Sequence, residues 1–122
     1  MLLDSNIIIY SAQPAHADLR AMIAASAPAV SAISVVEVLG YHKLPDPERA
    51  HFEEFFRVAT VLAVSEVVIS RAVTLRQQRR MTLGDALIAG TALAHELELL
   101  TRNVDDFRWI PELRVRDPLA TP

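Results

Sequence analysis

The chain has 122 residues, 52% hydrophobic and 22% charged, a composition that suits one globular domain spanning 1–122 and excludes a disordered chain. It contains no cysteine, which excludes disulfides and thiolate metal sites and is compatible with a reducing compartment. A net charge of −3 argues against a nucleic-acid partner held by a basic surface, unless some acids hold divalent metal: discounting four such carboxylates turns the balance positive.

In chain order, residues 1–4 read as a buried strand and "SNIIIYSA" as a short helix leaving it. "PAHADLRAMIAASA" carries Leu19, Met22 and Ile23 at helical spacing, and "PAVSA" is a second strand. "ISVVEVLGYHKL" returns to helix, followed after the Pro45-Asp46-Pro47 turn by the amphipathic "DPERAHFEEFFRVA". "VLAV" is a strand, and Ser65 to Arg80 a helix ending in the basic cluster Arg76, Arg79, Arg80. "GDALIAGTALAHEL" is an Ala-rich helix, "ELLTR" a strand and "LRVRD" an edge strand. This alternation predicts an α/β fold, a parallel sheet with helices on both faces. The three glycines form no phosphate-binding loop, and there are no repeats. No basic segment precedes the first apolar run and no run approaches the ~20 residues of a membrane span, so a soluble, cytoplasmic protein is expected.

In such sheets chemistry sits at the carboxyl ends of the strands. Asp4 ends the first strand. Glu37 shares a helical face with Ile33, Val36, Gly40 and Tyr41, which predicts that it points inward. Asp85 begins the stripe Asp85, Ile88, Ala89, Ala92, and Asp106 follows a strand across a short polar turn. Each acid has a plain structural reading. Ser34-x-x-Glu37 and Thr82-x-x-Asp85 fit the capping box, Asn103-x-x-Asp106 is a looser version, and acids favour helix N-termini. Capping accounts for each position but not for four acids at one sheet edge, where unneutralised carboxylates repel. Oxygen-rich clusters without His or Cys suit Mg²⁺ or Mn²⁺, which stabilise phosphoryl charge and generate a hydroxide nucleophile.

The stretches "LLDSNIIIY", "SAISVVEVLGY", "TLGDALIAGTAL" and "LLTRNVDDF" together resemble PIN-domain ribonucleases, most closely the VapC-type toxins of toxin–antitoxin pairs. The resemblance spans nearly the whole chain. It implies a three-layer α/β/α sandwich around a mostly parallel sheet, and Mg²⁺- or Mn²⁺-dependent endoribonuclease activity leaving 5′-phosphate and 3′-hydroxyl ends. It also implies a homodimer, with a cognate antitoxin bound across or near the acidic site. Carried over by position, Asp4, Glu37, Asp85 and Asp106 are the catalytic, metal-binding acids. Asp4 is the central ligand; Asp85 and Asp106 bind metal directly or through water; Glu37 binds a second ion or positions the water. Asp105 is a departure that competes with Asp106 for the fourth role, and spacing favours Asp106. Gly84 stands where relatives often carry proline or another small residue, a difference expected to matter little.

Ser5, Asn6, Thr101 and Asn103 either orient the ligand carboxylates or cap helices. Arg80, with Arg76 and Arg79, is a solvated helix end or a phosphate contact, and Arg102 and Arg108 flank the proposed site as possible RNA contacts. Trp109 is a packing lid or a base-stacking platform. "HFEEFFRVA" is core or a groove for a partner helix, and "DALIAGTALA" allows close helix packing, within the chain or between copies. His16, His42, His51 and His95 lack ligand spacing. The rival functions are a catalytically degenerate PIN-like module acting through protein partners, and a phosphoacceptor receiver domain. The second lacks its paired acids before the first helix, and its lysine has only Lys43 as a candidate.

Overall fold

The computed structural model describes residues 1–120; Thr121 and Pro122, the end of the span read as one domain, lie outside the described residues. Five strands, β1 (Leu2–Leu3), β2 (Ala29–Ser31), β3 (Thr60–Leu62), β4 (Leu99–Leu100) and β5 (Val115–Arg116), form one sheet in the order β3-β2-β1-β4-β5. Every pairing is parallel, with Leu2 opposite Ala29 on one side and Leu99 on the other. The helices are α1 (Ser5–Ser11), α2 (Ala17–Ser26), α3 (Ala32–Leu39), α4 (Asp46–Val58), α5 (Glu66–Gln78), α6 (Leu83–Ala94) and α7 (Val104–Phe107).

The period of two along each strand sends neighbouring side chains to opposite faces. Leu3, Val30 and Leu100 pack with Ile7, Ile8, Leu19, Val38, Phe52 and Phe56 of α1 to α4. Leu2 and Leu99 pack on the other face with Leu75, Ile88, Ala89, Ala92 and Phe107. Two cores on one sheet make the expected three layers, and they explain why the central strands are apolar on both sides. Phe52 and Phe56 are the buried, core-facing residues of "HFEEFF", while His51, Glu53 and Glu54 are exposed. The small residues of α6 serve packing within the chain: a Cβ at Gly90 would meet the Val68 carbonyl oxygen of α5 at 2.8 Å.

Several boundaries depart from the expectations; the helix expected over Ser65 to Arg80 runs only from Glu66 to Gln78, with Arg79 extended beyond it. The helix expected over 33–44 stops at Leu39, because Gly40 caps it and the residues before Pro45 cannot continue it; Leu44 N–H closes a turn onto Tyr41. The helix expected over 84–97 ends at Ala94, and Glu96 (φ 54°) turns the chain into β4 through a left-handed conformation. The polar turn before Asp106 is α7, a single helical turn anchored by the fully buried Phe107.

Candidate active site

From β1 the chain builds the sheet outward through β2 and β3, then jumps to β4 on the other side of β1. That reversal opens a crevice at the carboxyl ends of β1 and β4, where open α/β sheets bind ligands. The residue leaving β1 there is Asp4, and the residue leaving β4 is Thr101. Asp4 N–H donates to Leu100 O, so the last ladder bond of the sheet fixes the acid's backbone. Its side chain is 5% exposed. Oδ2 accepts from the Thr101 hydroxyl at 2.7 Å and Oδ1 from Ser5 N–H at 2.7 Å, so Asp4 also caps α1.

The polar residues around this pair form one network. Thr101 Oγ1 accepts from Asn103 N–H at 3.0 Å and from Asn6 Nδ2 at 3.4 Å, while Asn6 Oδ1 accepts from Arg102 N–H. Ser5 Oγ lies 2.9 Å from Ser34 Oγ and donates to Glu37 Oε1 at 2.7 Å. Ser5, Asn6, Thr101 and Asn103 therefore all meet at the strand ends. Ser34 joins them as a hydroxyl partner of Ser5; its residue type was visible only as a helix cap.

The four acids come from four elements and differ in burial. Asp4 is buried, Asp85 half-buried, and Glu37 and Asp106 are exposed. The inward face expected around Glu37 is corrected: Val36 is 65% exposed and Tyr41, past the helix end, 52%. α3 buries Ser34 and Val38 instead, and Glu37 turns across the helix to reach Ser5. The Ser34–Glu37 capping box is likewise absent, because Ser31 caps α3 by accepting from Ile33 N–H. Thr82 does cap α6, accepting from Asp85 N–H at 3.1 Å. Asn103 stands before α7 without a side-chain cap bond. Gly84 matters more than its sequence position suggests: a Cβ there would lie 2.6 Å from Glu37 Oε2, so the carboxylate rests against bare backbone.

Asp105 pairs with Arg108 at the surface, whereas Asp106 acts electrostatically on Asp85. Arg108 is thus tied to Asp105. Arg102 is tied to Asp117 at 3.2 Å and lies over the Tyr10 ring, so neither flanking arginine is free of a partner. Asp117 was not singled out from the sequence; it has no motif of its own. Trp109 packs beside the α6 face of the core and donates from Nε1 to Asp106 O at 3.0 Å.

Burial raises the Asp4 pKa from 3.8 to about 6; the Thr101 and Ser5 hydrogen bonds oppose the shift, and the charges of Asp85 and Glu37 add to it. Asp85 is raised too, by burial and then by the Asp106 charge, against the Thr82 side-chain bond and with a further push from Glu37. The acids thus form an interacting chain from Asp106 through Asp85 to Glu37 and Asp4. Among the described residues none of the four is ion-paired to a Lys or Arg. The expected preformed cluster is corrected in one respect. Among the described residues no group of three or more His, Cys, Asp or Glu side chains is arranged to hold a metal ion; the Asp4 and Glu37 carboxylates accept from hydroxyl and amide donors instead. An all-oxygen, uncompensated set still fits Mg²⁺, which binds through one or two carboxylates and keeps several waters.

A family model described as PIN domain matches residues 1–113. A chain of a toxin–antitoxin complex from Klebsiella pneumoniae is 31% identical, with 98% of each chain covered and a TM-score of 0.77. A chain of DNA-bound VapBC from Salmonella typhimurium is 25% identical over 95% of this chain and 96% of its own, TM-score 0.82. A chain of FitAcB from Neisseria gonorrhoeae, 23% identical over 98% of this chain and 99% of its own, shares the fold at TM-score 0.78. A search of curated protein sequences gives no match.

Proposed function

The chain belongs to the PIN domain family, and from that premise we propose that it is a divalent-metal-dependent endoribonuclease acting as the toxin of a toxin–antitoxin pair. The observation that carries the reading is Asp4: a carboxylate buried at the switch point of a parallel sheet, held by two donors, with further acids acting on it and, among the described residues, no side-chain cation paired to it. A structural cap does not need that burial, since an exposed Asp caps a helix equally well.

In this reading Asp4 is the central ligand, Asp85 and Asp106 complete the site directly or through water, and Glu37 binds or positions the attacking water. Bound Mg²⁺ or Mn²⁺ supplies charge stabilisation on the phosphoryl oxygens and a nucleophilic water. The chain's own contribution is positional. Thr101 fixes the rotation of the Asp4 carboxylate. Ser5 ties Glu37 Oε1, leaving Oε2 on the Gly84 side to orient water. The half-buried Asp85 retains a proton more readily than a free carboxyl until a cation arrives. A cytoplasmic homodimer that binds a cognate antitoxin follows from the same reading; the Klebsiella relative, a chain of a toxin–antitoxin complex, supports the antitoxin partner.

The test is cleavage of single-stranded RNA with Mg²⁺ or Mn²⁺, comparing wild type, Asp4→Asn and wild type in chelator. Cleavage by wild type alone, in the presence of metal, is expected; equal cleavage by wild type and Asp4→Asn overturns the assignment. The loose spacing of the acids favours one rival, a degenerate module that acts through partners. Calorimetric titration with Mn²⁺ separates the two, since the rival binds none.

A further inference from the structure

Asp85, Asp105 and Asp106 share a groove of about 530 Å³ with Arg76, Arg79, Arg80 and Trp109. A second hollow continues it round the end of α5, sharing the three arginines and adding Gln77 and Gln78. From this geometry we infer that the end of α5 and Trp109 form the track for the RNA strand flanking the scissile phosphate, with Arg76 and Arg80 on phosphates and Trp109 as a base-stacking face. The inference rests on the endoribonuclease reading and concerns a different part of the groove.

Three observations carry it. First, these arginines are both unpaired and clustered. Arg57, Arg71, Arg102, Arg108 and Arg116 each pair with an acid; among the described residues Arg76, Arg79 and Arg80 pair with none, and unlike the scattered Arg20, Arg49 and Arg114, which also lack an acid partner, they line one groove. A chain with a net charge of −3 thus places three uncompensated arginines within one five-residue stretch beside Asp85 and Asp106. Second, the chain shape puts it there. α5 ends at Gln78, and Arg79 is extended (φ −158°, ψ 150°), so two arginines leave the helix at the groove wall. Third, Trp109 is aimed rather than loose. Its Nε1–H is fixed on Asp106 O, and the Arg79 guanidinium lies 5.4 Å from the ring centroid. A ring already accepting a guanidinium on one face accepts a base by the same stacking, and arginines beside it take phosphates. Alternating π faces and guanidinium groups match a nucleic-acid strand; an acidic peptide would use the charges and leave the ring idle.

The test uses the Asp4→Asn protein in chelator, titrated with a short fluorescein-labelled single-stranded RNA over a series of salt concentrations. Arg76→Gln/Arg80→Gln, both surface changes, is expected to weaken binding at least roughly tenfold at low salt and to lower the log–log salt slope by about 1.4, the value for two single-strand phosphates. Trp109 is the only tryptophan, so unlabelled RNA should quench intrinsic fluorescence, and Trp109→Leu should weaken binding roughly tenfold. An unchanged salt slope in the double variant overturns the track, as does polyglutamate that quenches the tryptophan and displaces RNA as well as RNA does itself. Wild-type cleavage with Mn²⁺ is scored separately. Cleavage with an unchanged slope defeats the track alone; no cleavage with the expected slope change defeats the nuclease reading alone.

Discussion

Asp4→Asn should abolish RNA cleavage and at the same time make the protein more stable at neutral pH. Burial raises the Asp4 pKa from 3.8 to about 6, so at pH 7 the folded state carries a charge it would sooner not bury. At about 1.4 kcal/mol per pH unit of displacement, that charge costs the fold about 3 kcal/mol. Asparagine removes the charge but keeps only one acceptor where Asp4 uses two, for Thr101 and Ser5, returning about 1 kcal/mol. The net gain is about 2 kcal/mol, or roughly 6–10 °C in Tm for a domain of this size.

The pH dependence has a definite sign. The folded state binds the Asp4 proton more tightly than the unfolded chain, so wild type is least penalised below pH 3.8 and bears the full cost above about pH 6. The advantage of Asp4→Asn should therefore be largest at pH 7 and shrink as pH falls through that window. Thermal melts of both proteins at pH 7.5, 6, 5 and 4 check it. A variant that is less stable than wild type at pH 7.5, or an advantage that does not shrink with acid, refutes the claim that Asp4 is a strained charge.

Mn²⁺ at about a hundred times its Kd should stabilise wild type by about 2.7 kcal/mol, and calorimetric melts should show no such gain for Asp4→Asn. Thr101→Val removes the hydroxyl on Asp4 Oδ2 and the acceptor for Asn103 N–H; a loss of about 1–3 kcal/mol in denaturant melts is expected, larger at pH 7.5 than at pH 4. Gly84→Ala should lower Mn²⁺ affinity by displacing the Glu37 carboxylate, which lies within 2.6 Å of the added Cβ; equal calorimetric affinities would show that Glu37 moves without consequence. Ala27 closes α2 in a left-handed conformation (φ 45°), so Ala27→Gly should gain about 0.5–1 kcal/mol by urea denaturation.

What the sequence revealed, it revealed through local signals. The apolar pairs at Leu2–Leu3 and Leu99–Leu100 marked central strands because only strands buried on both faces lack a polar alternate position. Asp4 stood out as a charge at the end of such a strand. Asp85 was legible because Ile88, Ala89 and Ala92 are all buried, which fixes the face its helix turns inward. The apolar face expected around Glu37 fails for the complementary reason, although its carboxylate does reach inward to Ser5: Val36 and Tyr41 are apolar but exposed, and a hydrophobic pattern cannot tell an exposed valine from a core one. The end of α3 was missed because the turn is made jointly by Gly40 and Pro45, neither decisive alone. The Asp105–Asp106 ambiguity needed three dimensions, since only placement shows that Arg108 claims Asp105.

The acids are graded in burial, and the gradient has a functional logic. Asp4 and Asp85 sit where water is scarce, so their charges cost stability and each favours a cation or a proton. Glu37 and Asp106 sit at the exposed rim, where a carboxylate is solvated and exchanges partners at little cost. Four equally buried acids would bind an ion tightly and refuse the polyanion that must follow it; four exposed ones would bind neither strongly. On the nuclease reading, the buried Asp4 and half-buried Asp85 would hold a cation, and the exposed acids would stand beside the arginines proposed to receive phosphate. The net charge of −3 conceals that division. An average over the surface says little about a partner when charges of opposite sign line one groove.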